Sequence, residues 1–354
     1  MNYIIGGGIS GLLSAYYLAK KHHKIVIVEP NNIGGEFLTA NHGSRWFYYT
    51  PLMENLLIEL GIQYQIKQQT GAVLFENELH IFPDYAKINP KCVEKYYYKT
   101  RGKRIIDGSF DINTYNGMNE INNDNLNHRL VLYFNEQELL AKLLVLTAKF
   151  AYRLEHISGK LILLRTAEKY IEIESNKGDK IRTNYDKIII TIPLNIMSHI
   201  WKDIPSEVYD YIRGKILENN SNFKITLNPW CKVGHKIWWN YVYLPEFDYI
   251  PRRIVYRQDI TGEYFVLEVM NFDASQINEV SSAETLTKVL NMKITKDHIQ
   301  NIDLQLIKGF VDNYDLYNHI QDIQDIYFFG RYALWNHVLT VDRTYDSIVK
   351  ELNF

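Results

Sequence analysis

Cysteine is nearly absent from this 354-residue sequence: Cys92 and Cys231 are the only two, and they stand in unrelated contexts. That excludes a disulfide framework, a CxxC redox motif and paired thiolate spacing for zinc, and makes a reducing compartment the natural expectation. No HExxH occurs among the eleven histidines, so no metal site is expected; His22-His23 reads as a solvated helix end. No run approaches the roughly 18 apolar residues of a bilayer span. The best candidate, Leu139 to Ala151, is short and contains Lys142 and Lys149. Excess charge is missing too: a formal charge of −2 gives no general pull toward nucleic acid or acidic membranes. Neither an internal repeat nor a low-complexity linker is present. What remains, 46% hydrophobic and 23% charged residues, is the make-up of an ordinary globular protein. At roughly 100–200 residues per domain, the length suits two domains.

The organising stretch lies at the start. Asn2 to Ile5 reads as an apolar strand, Gly6-Gly7-Gly8-Ile9-Ser10-Gly11 follows at once, Leu12 to Lys21 reads as a helix and Lys24 to Glu29 as a second strand. That order is the dinucleotide fingerprint. Gly6 makes the tight turn, Gly8 lets backbone approach a pyrophosphate, and Gly11 lets the helix pack on its strand. The helix N-terminus offers N–H groups and partial positive charge to phosphates. Glu29 ends the second strand, placed to accept hydrogen bonds from a ribose hydroxyl. Because the fingerprint begins at residue 2, no signal or transit peptide is expected, and the expected location is cytoplasmic. Asn31 to Gly35 then adds a second glycine pair, Gly34-Gly35, just past the carboxylate.

Further on, Leu52 to Leu60 reads as a short amphipathic helix closed by Gly61, and Ala72 to Phe82 as a hairpin turning at Asn77. Residues 107–129, rich in Asn, Asp and Gly, read as a loop or lid. Glu136 to Leu154 has helical spacing, and strand-like pieces follow at Lys160 to Arg165, Tyr170 to Glu174 and Lys180 to Thr183. Ile188 to Ile192 is a β-branched run suited to a strand buried on both faces, with Asp186 before it and Pro193 stopping it. Asn222 to Trp230 reads as a strand, Trp239 to Val269 as at least two more, and Ser281 to Asn291 as a serine-capped helix. Near the C-terminus a strand from Ile326 ends at Gly330-Arg331. The helix Asp342 to Leu352 follows, with Thr340 or Asp342 near its start.

Three stretches, residues 1–60, the IIITIP run and residues 326–352, together resemble the flavin amine oxidase superfamily, and within it the branch of the UDP-galactopyranose mutases. Gly330-Arg331-Tyr332, Trp335 and Asp342 are similar to the family's Gly-Arg-aromatic, Trp and Asp ending, and VYLPEFDYIPRRIVY is similar to a mutase segment in which a proline-containing strand precedes an arginine. The resemblance implies an α/β, Rossmann-type (GR2-like) FAD-binding domain over 1–70, 155–205 and 320–354. It would be interleaved with an α+β substrate domain over 71–154 and 206–319. It further implies non-covalent FAD held by Gly6, Gly8, Ile9, Ser10, Gly11, Glu29, Pro30, Gly34, Gly35, Glu36, Ser44, Arg45, Pro193, Gly330, Arg331, Val341 and Asp342. Of these, Arg331 would meet the pyrophosphate, and the backbone of Val341-Asp342-Arg343 the flavin edge. The pattern departs at Gly43-Ser44-Arg45, where the mutases carry Gly-x-His, and at Glu36, where amine oxidases often carry arginine.

Arg45 is the expected catalytic-face residue, holding an anionic group of the substrate or biasing the charge of the flavin, and Trp335 an aromatic wall. Arg252, Arg253 and Arg257 suit phosphate or carboxylate, since guanidinium forks match both. In an extended strand Arg253 and Arg257 share one face and Arg252 takes the other. Three functions fit these residues. The first is an FAD oxidoreductase taking a hydride from a small or nucleotide-linked substrate, such as an amine. The second is a mutase-like non-redox flavoenzyme acting on a nucleotide sugar, and the third a flavin-fold binding subunit without turnover.

Overall fold

The structure is a computed structural model that describes residues 1–35, 47–82, 89, 91, 95, 130–213, 220–233, 237–246, 248–259, 262–307, 323, 325–334 and 340–352. The chain opens with β1 (Asn2–Ile5), α1 (Ile9–Lys20) and β2 (Lys24–Glu29), then α2 (Pro51–Glu59), β3 (Tyr64–Gln68), β4 (Gly71–Phe75) and β5 (Glu78–Phe82). Next come β6 (Leu130–Phe134), α3 (Glu136–Phe150), β7 (Arg153–Arg165), β8 (Tyr170–Ser175), β9 (Lys180–Asn184) and β10 (Lys187–Ile190). After α4 (Leu194–Ile200) and α5 (Ser206–Arg213) the chain runs through β11 (Asn220–Leu227), β12 (Tyr241–Tyr243), β13 (Arg253–Asp259) and β14 (Gly262–Met270). It closes with α6 (Glu279–Leu290), β15 (Ile299–Ile307), β16 (Ile326–Phe328), α7 (Arg331–Leu334) and α8 (Val341–Glu351).

The first sheet has the order β16-β10-β1-β2-β7-β8-β9. Its strands are parallel from β16 to β7, and β8 and β9 add an antiparallel meander. The apolar runs of β1, β2 and β10 have no polar alternation because both faces are covered. Ile4, Ile25, Ile27 and Ile189 face a core shared with residues of α1, α2, α3 and α8. Tyr3, Ile5, Val26, Val28, Ile188 and Ile190 face the opposite core with Leu194, Met197 and Trp201. Successive residues of one strand thus serve both layers.

The second sheet has the order β15-β11-β14-β13-β12-β4-β5 and is antiparallel except where β12 runs parallel to β4. Helix α6 covers one of its faces, its Ala283, Leu286 and Val289 sharing a core with Ile225, Phe265, Leu267 and Val269. The hairpin β4–β5 turns at Glu76-Asn77, both with positive φ, at the expected asparagine. β3 and β6 form a separate antiparallel pair.

Several boundaries differ from the sequence reading. The helix expected to reach Leu154 stops at Phe150, because Arg153 onward is drawn into the first sheet as β7, with Leu154 opposite Ile25. That same helix packs against α1 and shares its core, so α3 sits with the first sheet rather than with the region 71–154 assigned to a substrate domain. The helix expected at Ser281 starts at Glu279. Asn278 is its cap, and Ser281 closes the capping box from the third helical position. The run Ile188 to Ile192 is a strand only to Ile190. The lid expected at 107–129 lies outside the described residues. No helix among the described residues is long and apolar enough to cross a membrane.

Candidate functional site

The glycine-rich turn sits at the carboxyl end of β1, where sheet order switches direction between β1 and β10, the position at which open α/β sheets bind ligands. Gly6 has φ +106° and donates its N–H to Val28 O at 2.9 Å. A Cβ there would lie 2.4 Å from Thr191 Oγ1, whose hydroxyl donates to Ile5 O at 2.9 Å. A Cβ on Gly11 would lie 2.0 Å from the Gly6 carbonyl oxygen. Gly8 differs: its φ is an ordinary −71°, and a Cβ on it would meet nothing within 4 Å.

Two distant segments close around that opening. Gly34 donates its N–H to Gly7 O at 2.7 Å, and Gly35 lies against Gly8. Gly330, with φ +93°, abuts Ser10 so closely that a Cβ would lie 2.4 Å from Ser10 Oγ. The Glu29 carboxylate is buried beside the turn. Its Oε2 accepts from Gly7 N–H at 2.8 Å, and Oε1 accepts from Asn31 N–H at 3.0 Å. Pro30 is exposed, and its carbonyl accepts from Asn176 Nδ2 at 2.7 Å.

Helix termini follow a clear division. α2, α3 and α6 begin with side-chain caps from Thr50, Asn135 and Asn278. α1, α4 and α8, which follow Gly8, Pro193 and Thr340, have none. α1 and α4 start directly beyond the carboxyl ends of β1 and β10, neighbouring strands of the first sheet. α1 also has no acidic residue in its first turn. Uncapped N–H groups at a dipole's positive end suit an anion.

At the start of α8 stands a buried carboxyl group. Asp342 is 5% exposed, and the Thr340 hydroxyl faces its carboxyl group. Burial raises the Asp342 pKa, partly offset by Thr340, its own N–H, the Arg343 charge and the Tyr48 N–H. Asp342 lines a cavity of about 600 Å³ with Tyr48, Tyr49, Thr50, Pro51, Leu52, Leu130, Arg343 and Asp346. Tyr49 is fixed there by its hydroxyl, which donates to Glu54 Oε2 at 2.9 Å.

On the second sheet the arginines are engaged rather than spread over two faces. Glu268 of β14, 4% exposed, accepts a fork from Arg253, with Nε at 2.9 Å and Nη2 at 2.6 Å. Arg252 approaches the same carboxylate at 3.7 Å, so one buried anion gathers both guanidinium groups. Glu268 escaped the sequence reading because only the pairing of β13 with β14 sets it opposite Arg253. Arg257 lies close enough to Tyr133 to offset part of the rise that burial gives the phenol pKa. Thr191 was missed for a similar reason, since its role depends on β10 lying beside β1.

Glu36, Ser44, Arg45 and Trp335 lie outside the described residues. Arg331 opens α7 directly after Gly330, which places its backbone beside the turn. Ile9 and Ser10 form the first turn of α1, and Val341 and Asp342 that of α8. Among the described residues no group of three or more His, Cys, Asp or Glu side chains could hold a metal.

Residues 4–86 match the family described as an NAD(P)-binding Rossmann-like domain. No curated protein matches the chain. Among solved structures, reduced UDP-galactopyranose mutase is similar with a TM-score of 0.69 and 16% identity, over 99% of this chain and 94% of that one. Cyclohexylamine oxidase from Brevibacterium oxydans IH-35A is similar with a TM-score of 0.68 and 11% identity, over 100% and 99%. Putrescine oxidase bound to putrescine gives 0.62 and 11%, over 99% and 97%. The likeness runs across the whole chain, and at these identities it is one of fold.

Proposed function

We propose that this chain is an FAD-dependent oxidoreductase of the flavin amine oxidase type. It takes a hydride from a small or nucleotide-linked substrate, an amine or related compound, and holds its FAD non-covalently. The observation that carries the reading is the opening over Gly8: the only direction in which its Cβ could point is empty, while Gly35 and the uncapped start of α1 surround it. A dinucleotide fits this cradle. N–H groups of the first turn of α1 bind the diphosphate, and Arg331 balances its charge. The Glu29 oxygens, each holding one backbone N–H, have lone pairs left for ribose hydroxyls. No cysteine lies in residues 326–352 for a thioether link.

FAD supplies the electron acceptor, so the protein's tasks are to bind, orient and exclude water. Arg45 holds a negatively charged group of the substrate. Its pKa above about 12 makes it a poor proton shuttle, which disfavours proton abstraction by this residue.

The visible spectrum of the purified protein is the direct test. A flavin spectrum is expected, with FAD released into the supernatant on denaturation; protein that stays colourless after soaking with FAD would sink the reading. Arg45→Lys keeps charge but loses the planar fork, and should raise KM or slow substrate-dependent bleaching while FAD stays bound. Bleaching at the wild-type rate at every substrate concentration would remove Arg45 from the site.

A second reading, a mutase-like flavoenzyme acting on a nucleotide sugar, is favoured by the buried Arg253–Glu268 fork in the mutase-like segment. Isomerisation of UDP-galactopyranose by dithionite-reduced protein would establish it over the first.

A further inference from the structure

The peptide unit between Pro30 and Asn31 is gripped at both ends. Its N–H, from Asn31, donates to Glu29 Oε1 at 3.0 Å, and its carbonyl oxygen, from Pro30, accepts from Asn176 Nδ2 at 2.7 Å. A peptide unit is planar, so a bond at one end fixes the direction of the other. A backbone carbonyl can only accept, which settles that the amide nitrogen of Asn176 faces it. The same nitrogen donates to Ser158 Oγ at 2.9 Å, and the Asn176 backbone N–H donates to Ser158 O at 2.8 Å. Ser158 stands opposite Glu29 where β7 pairs with β2. Asn176 is carried by the turn between β8 and β9, which is tightly built. Gly178, with φ +89°, donates its N–H to Ser175 O at 2.9 Å, and the Lys177 and Asp179 N–H groups donate to Ser175 Oγ at 3.2 and 3.1 Å. The antiparallel meander at the edge of the first sheet thus reaches past β7 to the residue that follows Glu29.

We propose that Asn176 is a positioning residue for the adenosine half of a bound dinucleotide. It locks the Pro30–Asn31 peptide so that the Asn31 N–H stays on Glu29. The carboxylate is thereby held with its remaining lone pairs toward the ribose hydroxyls. Asn176 acts through Glu29 and not on the ligand. The inference rests on the dinucleotide reading of the cradle given above. Without the Asn176 amide the peptide is free to rotate, and Glu29 Oε1 loses the donor that orients it.

The test is a double-variant cycle on the full-length apoprotein, titrated with FAD and with ADP, which carries the adenosine half alone. Asn176→Ala should weaken both ligands about threefold to tenfold, and Asn176→Asp, which sets an acceptor against the Pro30 oxygen, at least as much. In a Glu29→Ala background, where nothing is left to position, Asn176→Ala should cost less than about twofold. A merely structural role would carry the same penalty into both backgrounds. If Glu29→Ala fails to fold, 2′,3′-dideoxy-ADP, which lacks the ribose hydroxyls, completes the same cycle from the ligand side. Unchanged affinity for both ligands in the two Asn176 variants would overturn the inference, and so would equal penalties with and without Glu29 or the hydroxyls. Coupling seen with ADP in a protein that binds no FAD would refute the flavin reading alone. FAD binding without coupling would refute this inference alone, and wild type that binds neither ligand would overturn both.

Discussion

Gly8 separates folding from ligand binding more cleanly than any other position in the turn. Its φ of −71° is open to every residue, and a Cβ built there has no neighbour within 4 Å. Gly8→Val therefore introduces no backbone strain, and its Cβ meets no atom of the apoprotein within 4 Å. Apoprotein stability should change by less than about 1 kcal/mol, with the reduced freedom of the unfolded chain favouring the variant. The bound state differs, because the side chain fills the space through which a diphosphate reaches the helix N–H groups. Charge-assisted hydrogen bonds are worth about 1.5–3 kcal/mol each, so losing two costs about 3–6 kcal/mol, or roughly 100-fold to 10,000-fold in Kd. Urea unfolding of the apoprotein and quenching of FAD fluorescence read the two effects separately. Gly11→Ala is the control of opposite kind. Its Cβ would sit 2.0 Å from the Gly6 carbonyl oxygen, and overpacking of that sort costs about 1–3 kcal/mol in stability before any ligand is added. FAD binding by Gly8→Val within threefold of wild type would refute the assignment of this opening to the diphosphate.

Other outcomes follow from the same geometry. Glu29→Ala strips the Gly7 and Asn31 N–H groups of their acceptor, and should lower apoprotein stability by about 1–3 kcal/mol while weakening FAD less than Gly8→Val does, measured by the same two titrations. Glu268→Gln leaves Arg253 and Arg252 beside a neutral amide, and should destabilise the protein by about 3 kcal/mol in urea, since the buried carboxylate that both arginines share is lost. The Asp342 carboxyl has a folded-state pKa raised from its ordinary value of 3.8, so the folded apoprotein holds that proton more tightly than the unfolded chain. Its contribution to stability is fully present below pH 3.8 and is lost as pH rises through the folded value. The melting temperature of wild type should fall relative to Asp342→Asn across that window, and parallel curves would contradict a raised pKa.

Much of the first sheet was legible because local signals and tertiary environment agree there. A parallel strand buried on both faces leaves a continuous apolar run, and β1, β2 and β10 show one in their sequence. The fingerprint adds glycines at positions where the fold leaves no room for a side chain, as at Gly11. What stayed hidden depends on register between distant strands. Glu268 is one glutamate among many until β14 pairs with β13, and Thr191 is an ordinary threonine until β10 lies beside β1. Helix α3 was misplaced because its spacing reveals an apolar face but not the helix that face meets.

Helix starts show where sequence rules hold and where they break. Thr50, Asn135 and Asn278 are cap-competent residues, and each caps its helix. Gly8 and Pro193 have no side-chain acceptor, and α1 and α4 are uncapped as their sequences require. Thr340 breaks the rule, for it has a hydroxyl at the cap position and does not use it. A protein optimised only for its own stability would turn that hydroxyl to a helix N–H, a bond worth about 1 kcal/mol. The Thr340 hydroxyl instead faces the Asp342 carboxyl, whose pKa it lowers against the rise from burial. The exception is therefore a local competition for one hydroxyl and not a poorly built helix, since the remainder of α8 buries Thr344, Tyr345 and Ile348 in the ordinary way.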